Sequence, residues 1–123
     1  MGKKILVVDD DPDTVDLISI ILSDSGYTVS TALSGKDALE KLEHEIPDLV
    51  LLDLMMPGMD GWSVLQAMKD KGITEKVKVS IFTIKEGPGV EIFGLQDVIA
   101  DYIQKLVGRE EFLQRVEEIL KTK

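Results

Sequence analysis

The sequence contains no cysteine, which excludes disulfides and thiolate metal sites and suits a reducing compartment. Histidine is nearly absent as well. The single His44 lies between Glu43 and Glu45 with no partner histidine or cysteine, so it reads as a solvated residue without a role. Positive charge is scarce: 14 lysines and arginines stand against 23 acids, for a net charge of −9. That field repels a phosphate backbone, and no basic stripe overrides it, so direct nucleic-acid binding is not expected. Long apolar runs are missing too. Ile5 to Val8 and Leu49 to Leu52 are far too short to span a bilayer, and no basic-then-apolar leader opens the chain. A cytoplasmic location without membrane contact is expected. Internal repeats, low-complexity tracts and long linkers are also lacking, so residues 1–123 are read as one domain.

What is present is an ordinary globular composition, 44% hydrophobic and 30% charged, at a length able to bury one core. Periodicity divides the chain into alternating strand-like and helix-like pieces. Ile5-Leu6-Val7-Val8 and Leu49-Val50-Leu51-Leu52 are apolar at every position, as central parallel strands covered on both faces must be. A helix from about Pro12 to Ser23 carries Val15, Ile18 and Leu22 on one stripe, widened by Leu17 and Ile21, with Gly26 after its end. Tyr27 to Ala32 reads as a second strand. Ser34 then offers a capping oxygen to a helix with Ala38, Leu39 and Leu42 inward, stopped before Pro47. Met56 to Gly61 reads as a loop leading to a helix with Val64, Leu65 and Met68 on its stripe. Val77 to Thr83 and Asp101 to Gln104 read as the fourth and fifth strands, and Phe112, Leu113, Val116, Ile119 and Leu120 mark the last helix. Right-handed crossovers between these pieces make a doubly wound five-stranded parallel sheet in a three-layer α/β/α sandwich.

Between Lys85 and Ala100 the pattern weakens. Gly87, Pro88, Gly89 and Gly94 fit a helix poorly, since each interior glycine costs about 1 kcal/mol relative to alanine and a helix cannot run through proline. The helix expected there is short, displaced or missing, with Val90, Ile92 and Phe93 buried in the core or forming an apolar patch for a partner.

The polar residues converge. Asp9 and Asp10 follow the first strand, Asp53 the third, Thr83 closes the fourth and Lys105 follows the fifth, all at carboxyl ends of strands. In an open parallel sheet those ends share one edge, where ligands bind. Two carboxylates about 4 Å apart repel by roughly 4 kcal/mol at an effective dielectric near 20, so the three acids need cationic compensation. Lys105 supplies one positive charge. A hard, oxygen-seeking Mg²⁺ supplies the rest, and the whole suits a metal together with a phosphate-like anion.

The stretches Ile5-Leu6-Val7-Val8-Asp9-Asp10-Asp11-Pro12 and Leu51-Leu52-Asp53-Leu54-Met55-Met56-Pro57-Gly58-Met59-Asp60-Gly61, with Thr83 and Lys105, resemble the receiver domains of two-component response regulators. The resemblance covers essentially the whole chain. It implies a flavodoxin-like strand order 2-1-3-4-5, with Asp53 as phospho-acceptor and Asp10, Asp53 and the backbone carbonyl of Met55 as Mg²⁺ ligands. Asp9 would act through a bound water. Lys105 would pair with one phosphoryl oxygen, Thr83 would donate its hydroxyl to another, and Tyr102 would hold the aromatic switch position. It further implies a phosphohistidine donor on a sensor histidine kinase or phosphotransfer protein, a downstream effector protein, and room for a phosphorylation-dependent homodimer. Activity would be limited to weak self-catalysed phosphotransfer and autodephosphorylation.

Each residue has a plainer reading. Paired acids at a strand end serve often as turn and helix-cap devices, Thr83 suits a strand end, Lys105 suits a surface, and Trp62 and the methionines suit packing. The joint placement at one edge is what favours a site. A flavodoxin-type flavin module shares the fold but wants an uncharged phosphate loop where Asp9-Asp10-Asp11-Pro12 stands. A haloacid-dehalogenase-like phosphatase places a second aspartate two residues after the nucleophile, where this chain has Met55. The alternative that remains is a receiver-fold interaction module that is not phosphorylated. Two departures from the family pattern bear on it. Leu106 replaces a proline, so a trans bond and a shifted lysine loop are expected, and the branched Ile84 replaces a small residue, so slow phosphorylation and dephosphorylation are expected.

Overall fold

A computed structural model describes residues 2–84 and 95–121. Five parallel strands, β1 (Lys4–Val8), β2 (Thr28–Ala32), β3 (Leu49–Leu52), β4 (Lys78–Thr83) and β5 (Asp101–Gln104), form one sheet in the order β2-β1-β3-β4-β5. Helices α1 (Pro12–Asp24) and α4 (Arg109–Lys121) cover one face, and α2 (Gly35–His44) and α3 (Gly61–Asp70) the other. The expected flavodoxin-like α/β/α sandwich is the architecture found.

Side chains alternate across a strand, and both faces here are covered. Leu6, Val8, Val50, Leu52, Val79 and Ile81 pack beneath α2 and α3, while Ile5, Val7, Leu49, Leu51, Phe82 and Ile103 pack beneath α1 and α4. The rings of Phe82 and Phe112 tie β4 to α4 at a centroid distance of 5.1 Å. Three helices begin on a side-chain cap: Asp11 Oδ1 accepts from Asp13 N, Ser34 Oγ from Asp37 N and Asp60 Oδ1 from Ser63 N. Each such cap is worth about 1 kcal/mol.

The differences from the sequence reading are local. β2 starts at Thr28 and β4 at Lys78, one residue later than the apolar runs suggest, because the ladders begin where Thr28 N reaches Lys3 O and Lys78 N reaches Asp48 O. Leu17 does not widen the core stripe of α1. Two positions from Val15 is about 200° around a helix, and Leu17 is 58% exposed, whereas Ile21 packs partly against the core. A left-handed Gly72 leads into an unforeseen 3₁₀ turn, Ile73–Glu75, which buries Ile73. The expectations for Gly87, Pro88, Gly89, Val90, Ile92, Phe93 and Gly94 fall outside the described residues. Description resumes at Leu95, which is buried, and at a 3₁₀ turn, Gln96–Val98. Among the described residues no helix is long and apolar enough to cross a membrane.

Candidate functional site

The carboxyl edge of the sheet is built by backbone bonds that run one residue past the strands. Asp9 N donates to Ala32 O (3.1 Å), Asp53 N to Val8 O (3.0 Å) and Lys105 N to Thr83 O (2.9 Å). Each polar residue thus starts from a main chain held by the neighbouring strand. Asp9, Asp53 and Thr83 are buried, at 2%, 3% and 0% exposure, while Asp10 is more open. Asp9, Asp10 and Asp53 each place a carboxylate oxygen within 4.8 Å of the others. Lys105 Nζ reaches into them, 2.5 Å from Asp9 Oδ2 and 3.4 Å from Asp53 Oδ2.

The remaining bonds orient the acids. Asp9 Oδ1 accepts from Asp11 N (3.0 Å), and Asp53 Oδ1 accepts from Met55 N (3.2 Å). Asp9 Oδ2 is sealed from solvent, with the Lys105 ammonium as its close partner. Burial and the charge of Asp9 raise the pKa of the Asp53 carboxyl above the usual value, with Lys105, the Met55 N–H and a hydrogen bond from the Thr83 side chain working the other way. Burial opposes the charge on Lys105, but its contacts with Asp9 and Asp53 outweigh this and raise its pKa. Three acids face one lysine, so the cluster carries surplus negative charge and has spare capacity for a cation.

The structure therefore brings Asp9, Asp10, Asp53, Thr83 and Lys105 together. Met55 joins through its backbone N–H while its side chain faces outward. Tyr102 is partly buried against the layer of α2 and α3, in register with Ile81 and two residues before the partner of Thr83. The Lys105–Leu106 bond is trans, as expected, and the lysine still reaches the acids. Leu106 and Ile84 are 89% and 62% exposed. Sequence reasoning missed two features: the approach of Gly61 to the backbone of Asp53, and the anchoring of β5 by Arg115, which binds Asp101. The signals for the first were a glycine directly after the capping Asp60 and its place at the end of the receiver-like stretch that starts at Leu51.

Residues 5–117 match the family described as the response regulator receiver domain. The chain belongs to that family. This receiver domain is similar to response regulator PleD of Caulobacter vibrioides, 37% identical over 123 residues that make up 100% of this chain and 27% of PleD. It is also similar to the alkaline phosphatase synthesis transcriptional regulatory protein PhoP of Bacillus subtilis, 38% identical over 121 residues, 98% of this chain and 50% of PhoP. The receiver domain thus spans between about a quarter and half the length of these curated relatives. Among solved structures, response regulator protein TrrA of Thermotoga maritima, in complex with Mg(2+)-BeF, superposes with a TM-score of 0.83 at 29% identity, covering 95% of this chain and 98% of that one.

Proposed function

We propose that this receiver domain accepts a phosphoryl group on Asp53 in a Mg²⁺-dependent reaction and signals in the phosphorylated state. The observation that carries the proposal is a cluster of three acids, Asp9 and Asp53 buried and Asp10 open, that one lysine does not neutralise, placed where the sheet's carboxyl ends meet. Its donors are all oxygens, and three carboxylates beside one ammonium suit a hard cation that keeps some of its waters. Asp10, Asp53 and the Met55 carbonyl would hold the ion, with Asp9 acting through a bound water. When bound, Mg²⁺ draws charge from the phosphoryl oxygens and offsets the repulsion among the acids.

The chain's own residues account for the rest. An Asp53 oxygen forms the new P–O bond while the P–N bond to a donor histidine breaks in line, and the leaving electron pair stays on the imidazole. Lys105, already paired with Asp9 and Asp53, turns to a phosphoryl oxygen, and the Thr83 hydroxyl donates to another. Tyr102, on the strand beside Thr83, follows as the switch residue. Water later splits the acyl phosphate to restore the carboxylate and release inorganic phosphate. The exposed branched Ile84, next to Thr83, slows both steps. Residues 1–123 act as one domain that serves signalling rather than metabolism. The partners are a sensor histidine kinase or phosphotransfer protein, a downstream effector protein and, after phosphorylation, a second copy, all in the cytoplasm. That TrrA was solved with Mg(2+)-BeF supports the same ligand class here.

Incubation with Mg²⁺ and acetyl phosphate followed by intact-mass measurement tests the proposal. Wild-type protein gains one phosphate, Asp53→Asn gains none, and chelation prevents the reaction. Labelling that persists unchanged in Asp53→Asn refutes it.

A further inference from the structure

Three glycines near the site owe their identity to different causes. Gly58 has φ +76° with nothing within 4 Å of a Cβ built on it, so its backbone angle alone calls for glycine. Gly35 has no positive φ, and its Cβ would meet side chains only, that of Val64 at 2.6 Å and that of the exposed Met59 at 3.0 Å. Gly61 also has no positive φ, yet its Cβ would lie 2.2 Å from the Asp53 carbonyl oxygen, 2.7 Å from Leu54 Cα and 2.9 Å from the Asp53 carbonyl carbon. All three atoms are backbone, and they belong to the acceptor residue and its neighbour.

Neither side of that contact can retreat easily. Asp53 is tied to β1 through its bond to Val8 O, and α3 is anchored by Val64, Leu65 and Met68, each 0% exposed. Gly61 N donates to Leu54 O at 3.1 Å, a second tie across the same contact. The peptide between Asp53 and Leu54 is therefore clamped between β1 and the first turn of α3. The residues it leads into matter for chemistry: Met55 N holds Asp53 Oδ1, while Asp53 Oδ2 faces Lys105.

We infer that Gly61 is a positioning residue for phosphoryl acceptance: its lack of a side chain lets α3 rest on the backbone of Asp53 and so aim the acceptor carboxylate. The inference rests on Asp53 being the acceptor. A methyl group at position 61 must push the 53–54 backbone away, and a displacement of about 1 Å at a reacting group can cost about a hundredfold in rate.

The test compares Gly61→Ala with Val116→Ala, which removes a buried group from α4, on the other face of the sheet and outside the clamp on the acceptor backbone. Both are checked for folding by circular dichroism and thermal melting. Phosphorylation by acetyl phosphate with Mg²⁺ is then timed by intact mass, and the gain in melting temperature from Mg²⁺ is recorded. Gly61→Ala is expected to slow phosphorylation about a hundredfold and to lose most of the Mg²⁺ gain. Val116→Ala keeps both, despite its lower melting temperature. A folded Gly61→Ala labelled as fast as wild type overturns the inference while leaving Asp53 in place. A wild type that takes no phosphate overturns the acceptor assignment itself and the inference with it. Should Gly61→Ala fail to fold, amide exchange of the wild type decides: Mg²⁺ must slow the Gly61 amide together with that of Met55. Slowing at Met55 alone overturns the coupling.

Discussion

Two of the places where carboxylates meet cations in this receiver domain are built to opposite ends. At Asp101, Arg115 donates from Nε to Oδ2 (2.9 Å) and from Nη2 to Oδ1 (2.6 Å), and the same guanidinium reaches Tyr102 O at 3.0 Å. One base meets Asp101 with matched geometry and reaches the exposed Glu111 at 3.5 Å from Nη1. Burial works against the Asp101 charge, but the bonds from Arg115 and from Tyr102 N outweigh it and hold the carboxyl below its usual range. At the sheet edge three acids meet one lysine, and the pKa of Asp53 is raised rather than lowered. The first arrangement secures β5 to α4. The second leaves its charge unbalanced, which weakens the protein alone and favours a ligand that brings positive charge.

Removing one partner from each group should give opposite signs. The largest change in stability is expected from Arg115→Ala, a loss of about 1–2 kcal/mol after allowance for solvent screening. Because the folded pKa of Asp101 is depressed, its contribution is present above the unfolded carboxylate value of about 3.9 and is lost as pH falls through the folded value. Urea melts across that acid range should show a decline in wild type that Arg115→Ala lacks. Equal slopes would mean that the pair contributes nothing.

Asp53→Asn should instead stabilise the metal-free protein, by about 1 kcal/mol. A carboxyl whose folded pKa is raised holds its proton longer in the folded state. Wild-type stability therefore falls as pH rises from the ordinary carboxylate value through the raised one, and the asparagine variant should lose that slope. Mg²⁺ should reverse the ranking by stabilising wild type, and Asp10→Ala should abolish the gain. A Mg²⁺ response of the same size in Asp10→Ala would contradict the metal assignment.

The smallest effect concerns Ser19, whose buried Oγ makes no hydrogen bond among the described residues. It lies mid-helix in α1, away from the strand ends that carry the acids. Ser19→Ala should raise stability by about 0.5–1 kcal/mol and leave the rate of phosphorylation unchanged. A stability gain accompanied by a changed rate would tie this helix interior to the site.

Much of this was decided locally. Fully apolar runs could only be covered strands, the stripes of α2, α3 and α4 are set by helical spacing, and Ser34 is a cap because a helical stripe begins directly after it. The order of these pieces sends Asp9, Asp10, Asp53, Thr83 and Lys105 to one edge, since parallel strands with right-handed crossovers end on the same side. Tertiary structure alone decided which of these groups touch. Lys105 lies 52 residues from Asp53 and 14 separate Arg115 from Asp101, distances over which periodicity carries no information. Leu17 sits inside an apolar run, yet the rotation of α1 against the sheet leaves it in solvent. Gly61 looked like a turn residue, because a close approach between two backbones leaves no pattern in either segment and exists only once α3 has packed onto β3.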